Sequence, residues 1–228
     1  KEIEIISKLN HPNIIKIYDT GEYDHNIYFV MELLNGESLS TWFRNQKNFS
    51  EITIISIVIQ LTEALKYVHH HGIIHRDLKP SNIFINQNDE PISVKLLDFG
   101  VALILELGNI KDESLVAGTF GYMSPEATGI LDKRIDERSD LYSLGIIFYQ
   151  LLTGEAPFKG NNINQLLHQQ VAFLPPRPTK VKLEIPLILD NIVMKLLAKD
   201  PDLRYQSAQG LLYDLRRYEA GETDFLVG

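Results

Sequence analysis

The stretch HHHGIIHRDLKPSN, residues 69–82, sets four of the chain's seven histidines beside an aspartate, a lysine and an asparagine. Two chemistries compete within it. The imidazoles could hold a metal ion, or Asp77, Lys79 and Asn82 could bring a carboxylate, an ammonium and an amide to phosphoryl transfer. Spacing argues against the metal. A helical zinc pair needs two histidines about one turn apart with a carboxylate or third histidine nearby. His70 and His71 are adjacent and point about 100° apart on a helix. His71 and His75 have the right interval, but Gly72 between them ends the helix. The histidines read instead as a helix end whose imidazoles favour the negative pole of the dipole. A metal-binding helical protein stays in view only on the finding of a bound ion.

The elements that must position these residues are legible in outline. At 228 residues the chain can bury a substantial core as one larger domain or two lobes. With 44% hydrophobic and 23% charged residues it has the composition of a soluble globular protein. The absence of cysteine removes disulfides and thiolate sites and fits a reducing, cytoplasmic compartment. A net charge of −8 speaks against a broad nucleic-acid-binding face, so no nucleic-acid partner is expected. Ile52–Val68 is the most apolar long run, but Ser56, Gln60, Glu63 and Lys66 interrupt it, which suits a buried helix and not a membrane span. Short β-rich runs are expected at Ile14–Tyr18 and Ile27–Leu33, separated by the turn-like DTGEYDHN, after a first helix over Lys1–Leu9. Helices are expected over Glu51–His71, Ser139–Thr153, Asn162–Val171, Pro186–Lys199 and Ser207–Tyr218, with a small hairpin from Ile83–Ile85 and Val94–Leu97. FLPPRP, residues 173–178, is expected as a rigid loop.

HRDLKPSN followed by LLDFG resembles the catalytic loop and metal-binding loop of the eukaryotic-like Ser/Thr protein kinases, including their bacterial members. HPNIIKIYDTGEYDHNIYFVMELLNGESL, GTFGYMSPEA, SDLYSLGIIFYQLLTGEAPF and KDPDLRYQS follow in the same family order and spacing, so the resemblance covers about residues 1–218. It implies an α+β, two-lobe protein-kinase-like fold with a truncated N-terminal lobe and a complete, mainly helical C-terminal lobe. Residues 1–34 would be the remnant of the small lobe, 35–218 the helical lobe and 219–228 a linker or tail. The implied reaction moves the γ-phosphoryl group of ATP, with Mg²⁺, to a Ser or Thr hydroxyl of a protein substrate in signal transduction.

The roles that the resemblance implies have physical sense, because phosphoryl transfer asks mainly for positioning and charge neutralisation. Asp77 would orient the attacking hydroxyl and accept its proton, and Lys79 would stabilise the transferring phosphate. Asn82 and Asp98 would hold Mg²⁺ as hard oxygen ligands. Phe99 would pack inward, and Gly100 would let the backbone re-aim Asp98. Met31 would stand at the back of the adenine pocket, Glu32 to Leu34 would form the hinge and Phe84 the floor. Arg76 would meet a phosphate or acidic group on the activation segment between Asp98 and Glu126, whose expected phosphoacceptor is Ser114. Thr119 would bond to Asp77 and Lys79, and with Lys79 it favours Ser/Thr over Tyr specificity. Glu126 and Arg204 would form a buried ion pair, and Asp140 would accept hydrogen bonds from the catalytic-loop backbone. Ile6, Ile17, His75 and Phe99 would stack as an apolar column.

One departure matters. No Gly-rich phosphate loop and no ATP-anchoring strand lysine occur in these 228 residues. Glu2 falls where the family has the helix glutamate that pairs with that lysine. Two explanations compete: a fragment whose missing strands lie upstream, or a catalytically inactive pseudokinase that binds proteins. The start without Met partway through a helix and the presence of Asp77, Lys79, Asn82 and Asp98 favour the fragment. The parent protein is then expected to carry further signalling domains.

Overall fold

The computed structural model describes residues 9–24, 26–45, 49–86, 89, 91–98, 120–131, 133–160 and 162–228. Glu2, Ile6, Phe99, Gly100, Ser114 and Thr119 lie outside the described residues, as does the helix expected over Lys1–Leu9 apart from Leu9. In chain order come strands β1 (Ile17–Tyr23), β2 (Asn26–Met31) and β3 (Glu37–Ser38), helices α1 (Leu39–Asn45) and α2 (Glu51–His70), and strands β4 (Ile83–Asn86) and β5 (Ser93–Leu96). Helices α3 (Glu137–Thr153), α4 (Ile163–Ala172), α5 (Pro178–Val181), α6 (Leu187–Leu196) and α7 (Ala208–Glu219) follow.

Two helices carry the core. α3 is buried on almost every side, whereas α2 buries a broad apolar face and leaves a stripe through Ser56, Gln60, Glu63 and Tyr67 part-exposed. α2 starts where Ser50 Oγ accepts the N–H of Thr53 at 3.1 Å. By length and hydropathy it could cross a membrane, yet Ile57, Val58, Leu61, Ala64, Leu65 and Val68 are all fully buried inside the fold. α3 starts at Asp136, whose carboxylate accepts the Arg138 N–H, and ends at Gly154 in the left-handed region, φ 87°. Gly145 lets α6 approach closely, because a Cβ there would lie 2.7 Å from Leu196 Cβ.

The β-structure serves these helices. β3, β4 and β5 form an antiparallel sheet, with Phe84 opposite Lys95 and Ile83 opposite Leu96. Gln60, one of the polar breaks in α2, ties β5 to the helix by accepting the Val94 N–H at 3.0 Å and donating to Ile92 O at 2.8 Å. Asn13 completes the joint, donating to Gln60 Oε1 at 2.8 Å and to Val94 O at 2.9 Å.

Several expected boundaries move. The first strand was expected at Ile14–Tyr18, but β1 runs through DTGEY to Tyr23 and pairs with β2 from Ile17–Met31 to Tyr23–Asn26. Asp24, φ 51°, marks the turn. The cross-strand ladder overrides the turn propensity of Asp19 and Gly21. Ile14 and Ile15 go elsewhere: Ile15 N–H donates to Leu96 O at 2.9 Å, and both side chains are buried. α1 was not expected, since its seven residues bury only Leu39 and Trp42 and show little periodicity. Within FLPPRP the loop ends at Pro178, which opens α5 at the position where proline suits a helix. After α7 the chain folds back, with Phe225 under the Arg217 guanidinium at 4.0 Å and Gly228 N–H on Asp214 at 2.7 Å.

Arg204 crosslinks the helical body. Its Nη1 and Nη2 donate to Glu126 at 2.7 and 2.8 Å, and the remaining N–H groups reach Ala198 O, Arg138 O and Lys199 O, so all five donors are used. Ser139 Oγ also donates to Glu126 at 2.7 Å. Burial works against the Glu126 charge, but Arg204 and Ser139 hold its carboxyl below the usual range. Both side chains are essentially inaccessible, at 0% and 1%. Arg204→Met should therefore destabilise the fold by about 3–5 kcal/mol in urea unfolding, because it strands a buried carboxylate. Adding Glu126→Gln should recover part of that loss; a double variant no more stable than Arg204→Met would refute this account.

Candidate active site

The site is built on Asp140, in the first turn of α3. Its side chain is 1% exposed and accepts three N–H groups from the end of α2 and the loop beyond it. Oδ2 takes His75 N–H at 2.8 Å and His69 Nε2–H at 2.8 Å, and Oδ1 takes Arg76 N–H at 2.9 Å. These bonds pin a loop that no helix or strand holds between His71 and Lys79. Arg76 adopts φ 65°, a conformation that a residue with a side chain keeps only when its surroundings impose it. Its exposed side chain borders a cavity of about 50 Å³ beside Ser124 and Ser139.

His75 is completely buried and joins this loop to the strand that leads to Asp98. Its Nε2–H donates to Leu97 O at 2.9 Å, and Nδ1 accepts the Asp77 N–H at 3.3 Å. That pairing requires a neutral ring. Burial, which outweighs the attraction of Asp140, pushes the imidazole below its ordinary value of 6.5.

Asp77, Lys79 and Asn82 converge. Lys79 Nζ lies 2.8 Å from Asp77 Oδ2, and Asn82 Nδ2 donates to the same oxygen and to Asp77 O, both at 2.9 Å. Asp77 and Asn82 are buried, and a turn beginning at Pro80 fixes the interval between them. Asn82 O accepts the Leu97 N–H at 2.8 Å, which brings Asp98, the next residue, alongside. Asp98 is exposed and sits at φ 42°. Of the three described non-glycine residues with positive φ, Arg76 and Asp98 therefore belong to one site.

The site fits a hard divalent cation. With its amide nitrogen committed to Asp77, Asn82 presents Oδ1, and Asp98, the residue after the Leu97–Asn82 backbone bond, adds an exposed carboxylate. Magnesium is commonly held by one or two such protein oxygens, the rest of its shell being water and phosphate.

The chain between β2 and β3 borders this region. Glu32 braces it: the backbone N–H donates to Lys16 O at 2.9 Å, while the carboxylate accepts Lys16 N–H at 2.8 Å and Lys95 Nζ at 2.6 Å. Met31 closes β2 with 43% of its surface exposed, and Leu33 is 92% exposed. Leu34 and Phe84 are half-buried, Phe84 on β4 opposite Ser38 and Lys95. Ile17 packs against the core. The sequence reading missed His69, treating it as a dipole partner; its signal was a polar residue facing inward from an otherwise apolar helix end. Gln60, Asn13 and the bridging role of the His75 ring were likewise missed.

The family model described as the protein kinase domain matches residues 1–214, and the chain belongs to that family. It is similar to the serine/threonine-protein kinase PknB of Mycolicibacterium smegmatis, 39% identical over 229 residues, covering 97% of this chain and 36% of that protein. PknB of Mycobacterium leprae is 38% identical over 228 residues with the same coverage. Among solved structures, Rad53 residues 1–466 in complex with AMP-PNP superposes with a TM-score of 0.75 at 33% identity, over 92% of this chain and 52% of that one. The chain thus spans about a third of the length of these curated relatives.

The state of His75 is testable. Because its folded value lies below the unfolded one, its contribution to stability is complete above pH 6.5 and is lost as the pH falls below that value. Nitrogen NMR should show the neutral Nε2–H form of His75 at pH 6, and urea midpoints should drop on acidification. An imidazolium signature at that pH would contradict the bridge.

Proposed function

We propose that this chain transfers the γ-phosphoryl group of ATP to Ser or Thr hydroxyls of protein substrates. The observation that carries the reading is the convergence of Asp77, Lys79 and Asn82 on one carboxylate oxygen, with Asp98 tied alongside through Leu97. Membership of the protein kinase family and similarity to kinases named as serine/threonine-specific support the substrate class.

In this reading Asp77 orients the acceptor hydroxyl and takes its proton. Lys79 and Asn82 both bond to Oδ2, so they hold the carboxylate in place while leaving Oδ1 for the hydroxyl. Lys79 lies within reach of both the acceptor and the phosphate, where its charge counters that of the moving group. Asn82 Oδ1 and Asp98 hold Mg²⁺, which when bound neutralises phosphate charge. The chain at Glu32–Leu34 receives adenine through its backbone groups, and the Lys95–Glu32 pair keeps that segment against β5. Residues 1–34 then act as the small-lobe part of the domain and residues 35–218 as its helical lobe, with ATP between hinge and catalytic loop. Protein substrate lies along the segment that ends at Glu126 and the helices after Asp140.

The test is phosphoryl transfer from ATP to a Ser/Thr-containing protein by the full gene product and by its Asp77→Asn variant. The substitution keeps the bonds of Lys79 and Asn82 to a side-chain oxygen but removes the base, so kcat should fall by about 10²–10⁴-fold with the fold intact. Undiminished turnover in the variant would overturn the assignment. An unmodified protein that transfers no phosphate would point to the protein-binding alternative.

A further inference from the structure

Lys199, just after α6, turns its amine into the helical body and not toward a carboxylate. Among the described residues it has no ion-pair partner. Its Nζ donates instead to Gln170 O at 2.7 Å and to the Tyr142 hydroxyl at 3.1 Å. The ring of Phe158 lies 4.3 Å from Nζ and that of Tyr142 5.6 Å, and the Tyr142 ring also carries the Arg204 guanidinium at 4.8 Å. Two acceptors match the two N–H bonds of a neutral amine. The ammonium form adds a third N–H, which has only an aromatic face to meet, and a second positive charge beside Arg204. Burial, reinforced by Arg204, lowers the lysine from 10.5 to about 7. The other charges nearby are engaged elsewhere. Asp200 pairs with Lys133 at 2.7 Å, Glu155 pairs with Lys159, Lys195 lies over Tyr205, and Glu126 is held by Arg204. His168, the one titratable side chain of α4, lies against Phe173 at 5.5 Å.

What Lys199 grips leads to the segment that precedes Glu126. Gln170 is fully buried near the end of α4, and Lys199 holds it from two sides. One hold is direct, through Gln170 O; the other runs through Tyr142, whose hydroxyl donates to Gln170 Oε1 at 2.6 Å. With Oε1 fixed in this way, Gln170 Nε2 donates to Gly121 O at 2.7 Å. The adjoining carbonyl, Tyr122 O, accepts Ser143 Oγ–H at 2.7 Å, so this stretch of chain is seated on α3 and α4 by side chains.

We propose that Lys199 is a proton-sensitive positioning residue: gain or loss of a proton at its amine changes the seat of Gly121 through Gln170 and Tyr142, and with it the fit of a protein substrate. The inference rests on the kinase reading above for its substrate, but not for the latch itself. Taking up the third proton weakens the lysine's hold in this enclosure, so Gln170 and the Gly121 carbonyl lose their fixed seat. Substrate binding then weakens as the pH falls through neutrality.

The experiment titrates the full gene product, labelled with ¹³C at lysine Cε and ¹⁵N at the amides, from about pH 6 to about pH 11. Lys199 should change charge near pH 7, and the Tyr122 amide, whose peptide bond contains the Gly121 carbonyl, should follow with the same midpoint. That response should vanish in Lys199→Met, while the histidine signals keep theirs. In kinetics, KM for a Ser/Thr-containing protein substrate should fall about threefold between about pH 6 and about pH 8. Lys199→Arg, charged at every pH, should keep the higher KM throughout, with KM for ATP equal in the two proteins at each pH. A purely structural lysine would give a loss independent of pH. A Lys199 midpoint near 10.5, a Tyr122 amide that does not follow it, or a protein-substrate KM at about pH 8 no different in Lys199→Arg would each overturn the proposal. Where Lys199→Met folds poorly, the wild-type midpoints and Lys199→Arg still decide. A gene product that transfers no phosphate would defeat the kinase reading, whereas the two midpoints would still decide the latch.

Discussion

One buried carboxylate organises this molecule. Asp140 sits at the start of the central helix α3 and receives donors from His69, His75 and Arg76. A carboxylate taken out of water must be met by hydrogen bonds or opposing charge, and here backbone N–H groups do most of that work. The consequence is geometric. A loop with no regular structure of its own acquires one path, and Arg76 is held in a backbone conformation it would not adopt alone. Asp77 and Lys79, on that loop, inherit their positions from this contact.

From there the constraint spreads along a chain of single hydrogen bonds. His75 passes it to Leu97 and Asp77, and Asn82 passes it to Leu97 and again to Asp77. Two segments about twenty residues apart in sequence, one ending a helix and one leaving a strand, are thereby held in register. A neutral, buried histidine suits this task because its two nitrogens are a donor and an acceptor, and burial keeps it from becoming two donors. The platform beneath is stiff for an ordinary reason: α3 is buried on nearly every side and α2 along a broad apolar face, and close-packed interiors resist deformation.

The polar residues inside the helical body serve the same end. Gln60 and Asn13 fasten β5 to α2, and Arg204 spends all five donors joining Glu126 to the carbonyls of residues 138, 198 and 199. Neither arrangement touches Asp77, Lys79 or Asn82. Both brace elements around that site: β5 leads directly to Asp98, and Arg204 holds Glu126 to the helical body.

Much of this was legible in the chain itself. The motifs HRDLKPSN and LLDFG carried the resemblance that implied phosphoryl transfer, and the meeting of Asp77, Lys79 and Asn82 follows from short-range spacing within one loop. The long apolar runs located α2 and α3, since deep burial leaves a mark at most positions. The β1 register, the helix α1 and the partners of His69, Gln60 and Asn13 were not legible. Each depends on which segments meet across distances of tens of residues, and local propensity carries no record of that meeting. The four histidines show the division most clearly. Sequence spacing was enough to argue against a shared metal ion, but only the tertiary structure separated them, sending His75 into a buried bridge and His69 onto Asp140, because a side chain's partner is chosen by the fold that surrounds it.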